Sequence, residues 1–232
     1  MRRLLTIALL PLFVVIVCNA PAADAPDKVV KTSLQELNDF VGSWNGDGKS
    51  TGLKKESWAE TLEWGWNFKG EVKMVLKIKG GKYFKTGDLT YLADKKTYQL
   101  TLVDAQDEKH VFTGNKEKDY LVLDSVDPKT KETQRLKINL AGDGVRLQVA
   151  ASKKGDGKTL FSPQYTVSYS MEGASLGAKA KKQECIVSGG LGTQTISYKG
   201  QTYYICCSGC RDAFNDNPEK YVKEWEAKKG KK

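Results

Sequence analysis

The sequence is almost without histidine: His110 is the only one in 232 residues, and no cysteine lies between Cys18 and Cys185. A lone imidazole with no identifiable nucleophile beside it builds no hydrolytic triad. The glycine-rich "VSGGLG" at 187–192 has neither the Gly-Lys-Ser/Thr of a phosphate loop nor the G-x-S-x-G of a nucleophile elbow. No catalytic constellation is left, so the sequence reads as non-enzymatic. Long apolar runs are scarce too. The one present, "LLTIALLPLFVVIVC" at 4–18, is interrupted by Pro11. It is shorter than the roughly 20 residues of a membrane span and has the length of a secretory signal core.

What is present at the N-terminus fits that reading. Arg2 and Arg3 precede the apolar run and "APA" at 20–22 follows it, which predicts a signal peptide over 1–22 cleaved after Ala22. The expected location is outside the cytosol, periplasmic or extracellular, with no integral membrane span after cleavage. A lipid-modified Cys18 or an uncleaved anchor are the alternatives. The formal charge is +9, and more than half of that excess falls in residues 176–232. There "KAKKQE" and "KKGKK" carry no interleaved aromatics, so they read as a solvated linker and tail rather than a nucleic-acid surface.

Residues 33–171 are patterned for strands. Ser33 with Glu36 forms a capping box that predicts a short helix over 34–41. Alternating runs then recur from "SWAETLEWGWNF" to "QYTVSYSM", separated by "KGGK", "ADKK", "DPKTK", "AGDG" and "KKGDGK". Nine or ten short antiparallel strands follow, and closure into a barrel removes their exposed edges. Period-2 alternation puts Trp64 and Trp66 on one face as core, while Glu60 and Glu63 read as a solvated face. The "FVGSW" entry, its G-x-W-x-G-x-G motif over 42–48 and the long meander resemble the lipocalin-like (calycin) barrels, the bacterial nitrobindin-like domains in particular. The resemblance implies an up-and-down barrel whose cavity admits a small apolar ligand. Nitrobindins hold haem through histidine; His110 does not align with that role, and Trp58, Trp64 and Trp66 read as core rather than pocket.

After a linker at 172–184, four cysteines crowd the C-terminus: Cys185, Cys206, Cys207 and Cys210. "TISYKGQTYYICC" predicts a hairpin turning at Lys199–Gly200, Ser208 caps a helix from about Gly209, and Asn217–Pro218 starts a second helix. A unit this small needs a metal or disulfides to fold. An even number of cysteines outside the cytosol suits disulfides, whereas Cys185-x20-Cys206-x3-Cys210 suits a thiolate site at a strand-to-helix turn. Tyr198, Gly200, Tyr203, Cys206, Cys210, Phe214, Pro218 and Tyr221 resemble the frame of YHS/TRASH-type metal-binding domains. That resemblance implies a small α+β, treble-clef-like module over 185–227, ahead of a basic tail at 228–232. It also implies Cys185, Cys206 and Cys210 as ligands of Zn or Cu(I). Cys207 is an added thiol, either a fourth ligand or turned away. The expected molecule is thus mainly β, an exported metal-binding protein with a barrel domain. The alternatives are a structural protein with disulfides and a small-molecule carrier using the barrel.

Overall fold

The computed structural model describes residues 26–52, 55–142, 144–172 and 183–229; the predicted signal peptide, Cys18 and most of the linker lie outside them. The chain opens with α1 (Pro26–Gln35) and a 3-10 turn (Asn38–Phe40). Ten antiparallel strands follow: β1 (Gly42–Ser50), β2 (Ser57–Asn67), β3 (Lys73–Lys79), β4 (Thr86–Leu92), β5 (Thr97–Val103), β6 (Lys109–Glu117), β7 (Tyr120–Val126), β8 (Thr133–Ala141), β9 (Arg146–Lys154) and β10 (Ser162–Met171). Each pairs with its neighbour in sequence, and β1 closes the barrel on β10. The expected up-and-down barrel is therefore present, with every strand edge paired.

The first helix lies earlier than its capping box predicts. Ser33 sits in the last turn of α1, where its carbonyl accepts from the Glu36 amide and from the Tyr98 hydroxyl at 2.9 Å. Apolar spacing overrides the cap motif: Val30, Leu34 and Leu37 face the barrel, and the last two are buried. With Phe40 they plug the end where Gly42 pairs with Trp64. Trp44 Nε1 fastens that plug by donating to the Phe40 carbonyl at 2.9 Å.

Along β2, residues 60, 62, 64 and 66 are all buried, the alternation that puts one strand face inside. Trp64 and Trp66 are core, as expected. Glu60 shares their phase and is buried, not solvated; only Glu63 faces water. The barrel cavity measures about 50 Å³. Among the described residues no helix is long and apolar enough to cross a membrane.

After Gln183 the chain forms the hairpin β11 (Gln194–Tyr198) and β12 (Gln201–Ile205), then α2 (Ser208–Asp216) and α3 (Pro218–Lys229). Lys199 and Gly200 both have positive φ, the backbone of a two-residue hairpin turn. The cap of α2 falls one residue before the predicted Ser208: Cys207 is the N-cap and Ser208 already helical. Asn217 caps α3 as expected, its side chain accepting from the Lys220 amide at 3.2 Å. This module rests on the plugged end of the barrel.

Candidate metal centre

Cys206 and Cys207 follow the end of β12, with Cys207 in extended backbone at φ −158° and ψ 172°. Their sulfurs go to different neighbours. Cys206 Sγ lies 3.3 Å from the Ser188 hydroxyl inside the module, and Cys207 Sγ meets the Trp66 amide of the barrel. One turn into α2, Cys210 comes back under Cys206, with the two sulfurs 3.3 Å apart.

Cys185 arrives from the other side on a tight loop. Its amide donates to the Gly190 carbonyl at 2.7 Å, and its own carbonyl accepts from Gly189 at 2.8 Å. Gly189 has φ +79°, a conformation that glycine adopts without strain. The next amide, of Ile186, donates to Tyr204 on β12, which anchors the loop beside the hairpin. Ser188, wholly buried, places its hydroxyl 3.3 Å from Cys206 Sγ. The "VSGGLG" glycines that lacked a phosphate-loop pattern thus shape a turn around a sulfur.

The sulfurs of Cys185, Cys206 and Cys210 lie within 4.8 Å of one another, all buried. Around a zinc or copper ion with metal–sulfur bonds of about 2.3 Å, thiolates stand roughly 3.8 Å apart. The three residues fit such an ion. Cys207 Sγ is 3.8 Å from Cys206 Sγ but accepts the Trp66 amide of β2 at 3.3 Å. It belongs to the seam with the barrel as much as to the sulfur cluster.

Hydrogen bonding divides the four thiols. Cys185 is lowered by its bonds with Cys206 and then Cys210, and Cys207 likewise, both against the effect of burial. Cys206 and Cys210 are raised, chiefly by donating to Cys185. The hydrogen bonds thus favour the thiolate at Cys185 and Cys207 and the thiol at Cys206 and Cys210.

The seam is close-packed. A β-carbon on Gly209 of α2 would lie 1.7 Å from the Trp66 carbonyl oxygen, and one on Gly65 would lie 3.6 Å from Cys207 Sγ. The side chains of Gln35 and Asn38 donate to the Ser188 carbonyl at 2.8 and 2.9 Å, and Asn38 also accepts from Trp66 Nε1 at 3.0 Å. Lys31 lies 5.8 Å from the Phe68 ring and 5.9 Å from the Tyr221 ring, and burial pushes its pKa down. Sequence reasoning missed Ser188, Gly65, Trp66 and Asn38 as parts of this site. The available signal was "WGW", whose glycine leaves room on the outward face of a strand.

His110 stays apart from the sulfurs. It pairs with Asp104 at 2.9 Å, and Asp104 also accepts the Gln106 and Glu108 amides of the β5–β6 hairpin. Its hydrogen bond to His110 is the chief reason the Asp104 carboxyl is lowered.

No match was found among curated proteins. Among solved structures, Rv2717c from M. tuberculosis is 14% identical, covering 60% of this chain and 97% of that one, with a TM-score of 0.39. The S-type phycobiliprotein lyase CpeS from Guillardia theta is 11% identical, covering 65% of this chain and 99% of that one, with a TM-score of 0.43. Within the module, residues 193–225, which carry Cys206, Cys207 and Cys210, match the YHS domain family.

Proposed function

We propose that this is an exported, non-catalytic metal-binding protein. The thiolates of Cys185, Cys206 and Cys210 hold one soft or borderline ion, Zn or Cu(I), and the barrel serves as the body on which the module docks. The observation that carries this reading is the convergence of three buried sulfurs within 4.8 Å. A disulfide needs two sulfurs, whereas a third directed at the same point, from a separate loop, is what an ion requires. The YHS match over 193–225 supports the same conclusion, as does the fit of thiolates to these ions. When bound, the ion cross-links the 185–190 loop to the β12–α2 corner. Cys207 is the fourth candidate ligand, available if it exchanges the Trp66 amide for the ion. Export rests on the signal-like 1–22 segment, and cleavage after Ala22 removes Cys18.

Native mass spectrometry tests this on signal-free protein prepared without chelator or reductant. The expected result is an increment of one zinc or copper ion that disappears in Cys185→Ser. A metal-free mass, lower than the reduced chain by about two hydrogens per bridge, would replace the metal reading with disulfides.

A further inference from the structure

The G-x-W-x-G-x-G motif has no part in the cysteine site, yet its geometry is specific. Gly46 and Gly48 of β1 both face the barrel interior. A β-carbon on Gly46 would meet the Tyr169 ring at 2.5 Å, and one on Gly48 the Trp58 ring at 2.0 Å. The glycines clear the wall for two large side chains, and both of these deliver their polar ends to one carboxylate. Trp58 Nε1 donates to Glu60 Oε2 at 2.7 Å, and the Tyr169 hydroxyl donates to Glu60 Oε1. Burial and the neighbouring Glu60 charge keep Tyr169 protonated as a donor.

Glu60 is 9% exposed and, among the described residues, is the only charged side chain lining the cavity of about 50 Å³. Among the described residues no Lys, Arg or His pairs with it. A buried carboxylate held by neutral donors is left short of a counter-charge. The same cavity is lined by Trp64, whose indole N–H is buried without a hydrogen-bond partner among the described residues. The indole N–H is a donor and makes no demand for a cation, but the Glu60 carboxylate without a counter-charge suits its end of the cavity to a cationic guest rather than a hydrocarbon.

The roof of the cavity is aromatic. Tyr83, from the β3–β4 loop, stacks on Tyr165 at 4.1 Å and meets Trp58 edge-on at 5.5 Å. The Trp58 and Tyr83 rings already attract one ammonium, that of Lys82, at 5.4 and 5.5 Å. Ring faces beside a carboxylate are the recognition chemistry of organic cations.

We propose that this end of the barrel, opposite the cysteine module and independent of it, is a site for a short primary alkylammonium ion. The Glu60 carboxylate takes the charge, and Tyr83 and Tyr165, which line the cavity, enclose the alkyl part. The test is a titration of the full chain with ethylammonium chloride, read on the Trp58 indole N–H resonance, with ethanol, acetate and sodium chloride as controls. A saturable shift from ethylammonium alone is expected, about tenfold weaker in Glu60→Gln. No saturable shift, an equal response to ethanol, or unchanged affinity in a folded Glu60→Gln would each overturn the proposal. If Glu60→Gln does not fold, the wild-type comparison of ethylammonium with ethanol decides alone.

Discussion

The barrel encloses a core of large side chains, including Trp44, Trp64, Trp66, Phe112, Leu100, Leu121 and Leu123, each at most 2% exposed. In the cysteine module the buried set is Ile186, Val187, Ile205, Ala213, Phe214 and Tyr221 together with four thiols. At roughly 25 cal/mol per Å² of apolar burial, the first set stabilises a domain unaided. The second is smaller, and units below roughly 70 residues ordinarily call for a cross-link in addition. One chain therefore combines two modes of stabilisation: burial within a closed sheet, and sulfurs gathered at one point. The two meet where Trp66, a core residue of the barrel, presents its backbone to Cys207 and Gly209.

The sharpest break in that comparison is Cys210→Ser. If an ion holds the module together, this change removes a ligand and with it binding energy on the order of 10 kcal/mol. Hydrogen exchange should then show residues 185–227 losing protection while the barrel strands keep theirs, and a strong chelator should reproduce the pattern in the wild type. Equal protection of both regions in the variant would mean that the module stands on packing alone. The converse break is Phe112→Ala, deep in the barrel on β6. Emptying that position should cost about 3–5 kcal/mol of barrel stability in a urea titration, with metal stoichiometry unchanged.

Much of this division was legible in the sequence. Strand period, turn residues and the even spacing of apolar runs point to the barrel, and the cysteine spacing points to the sulfur cluster. Glu60 was misread because a carboxylate in a strand is ordinarily solvated. Its phase with Leu62, Trp64 and Trp66 outweighs its charge, and two hydrogen-bond donors make its burial tolerable. The capping box at Ser33 and Glu36 is a local pattern, overruled by the long-range demand that Leu34 and Leu37 plug the barrel. The seam is the least legible part. Gly65 and Gly209 are ordinary glycines until each is seen against a neighbour far away in the chain.

That seam offers two smaller tests. Gly209→Ala sets a β-carbon 1.7 Å from the Trp66 carbonyl oxygen, and a contact with backbone cannot be relieved by a rotamer change. The module must shift off β2, at about 1–3 kcal/mol. The expected signature is faster exchange of the Trp66 amide, which donates to Cys207, with one ion still bound. Loss of the ion in this variant would mean that the barrel forms part of the site rather than the surface beneath it.

Asn38→Ala is the mildest probe and the most discriminating, because it leaves every backbone and every sulfur in place. Asn38 accepts from Trp66 Nε1 and donates to the Ser188 carbonyl, so one side chain ties the plug to both the barrel wall and the sulfur loop. Its removal leaves the Trp66 indole N–H without its acceptor, at about 1–3 kcal/mol for a buried donor. The Ser188 carbonyl keeps Gln35 as a donor, so the loop carrying Cys185 should hold its place. Barrel stability should therefore fall slightly while metal affinity stays within about threefold of wild type, a difference worth less than 1 kcal/mol. A larger loss of affinity would show that the plug tunes the sulfurs through Ser188, whose hydroxyl touches Cys206. The two regions would then be one energetic unit rather than two domains in contact.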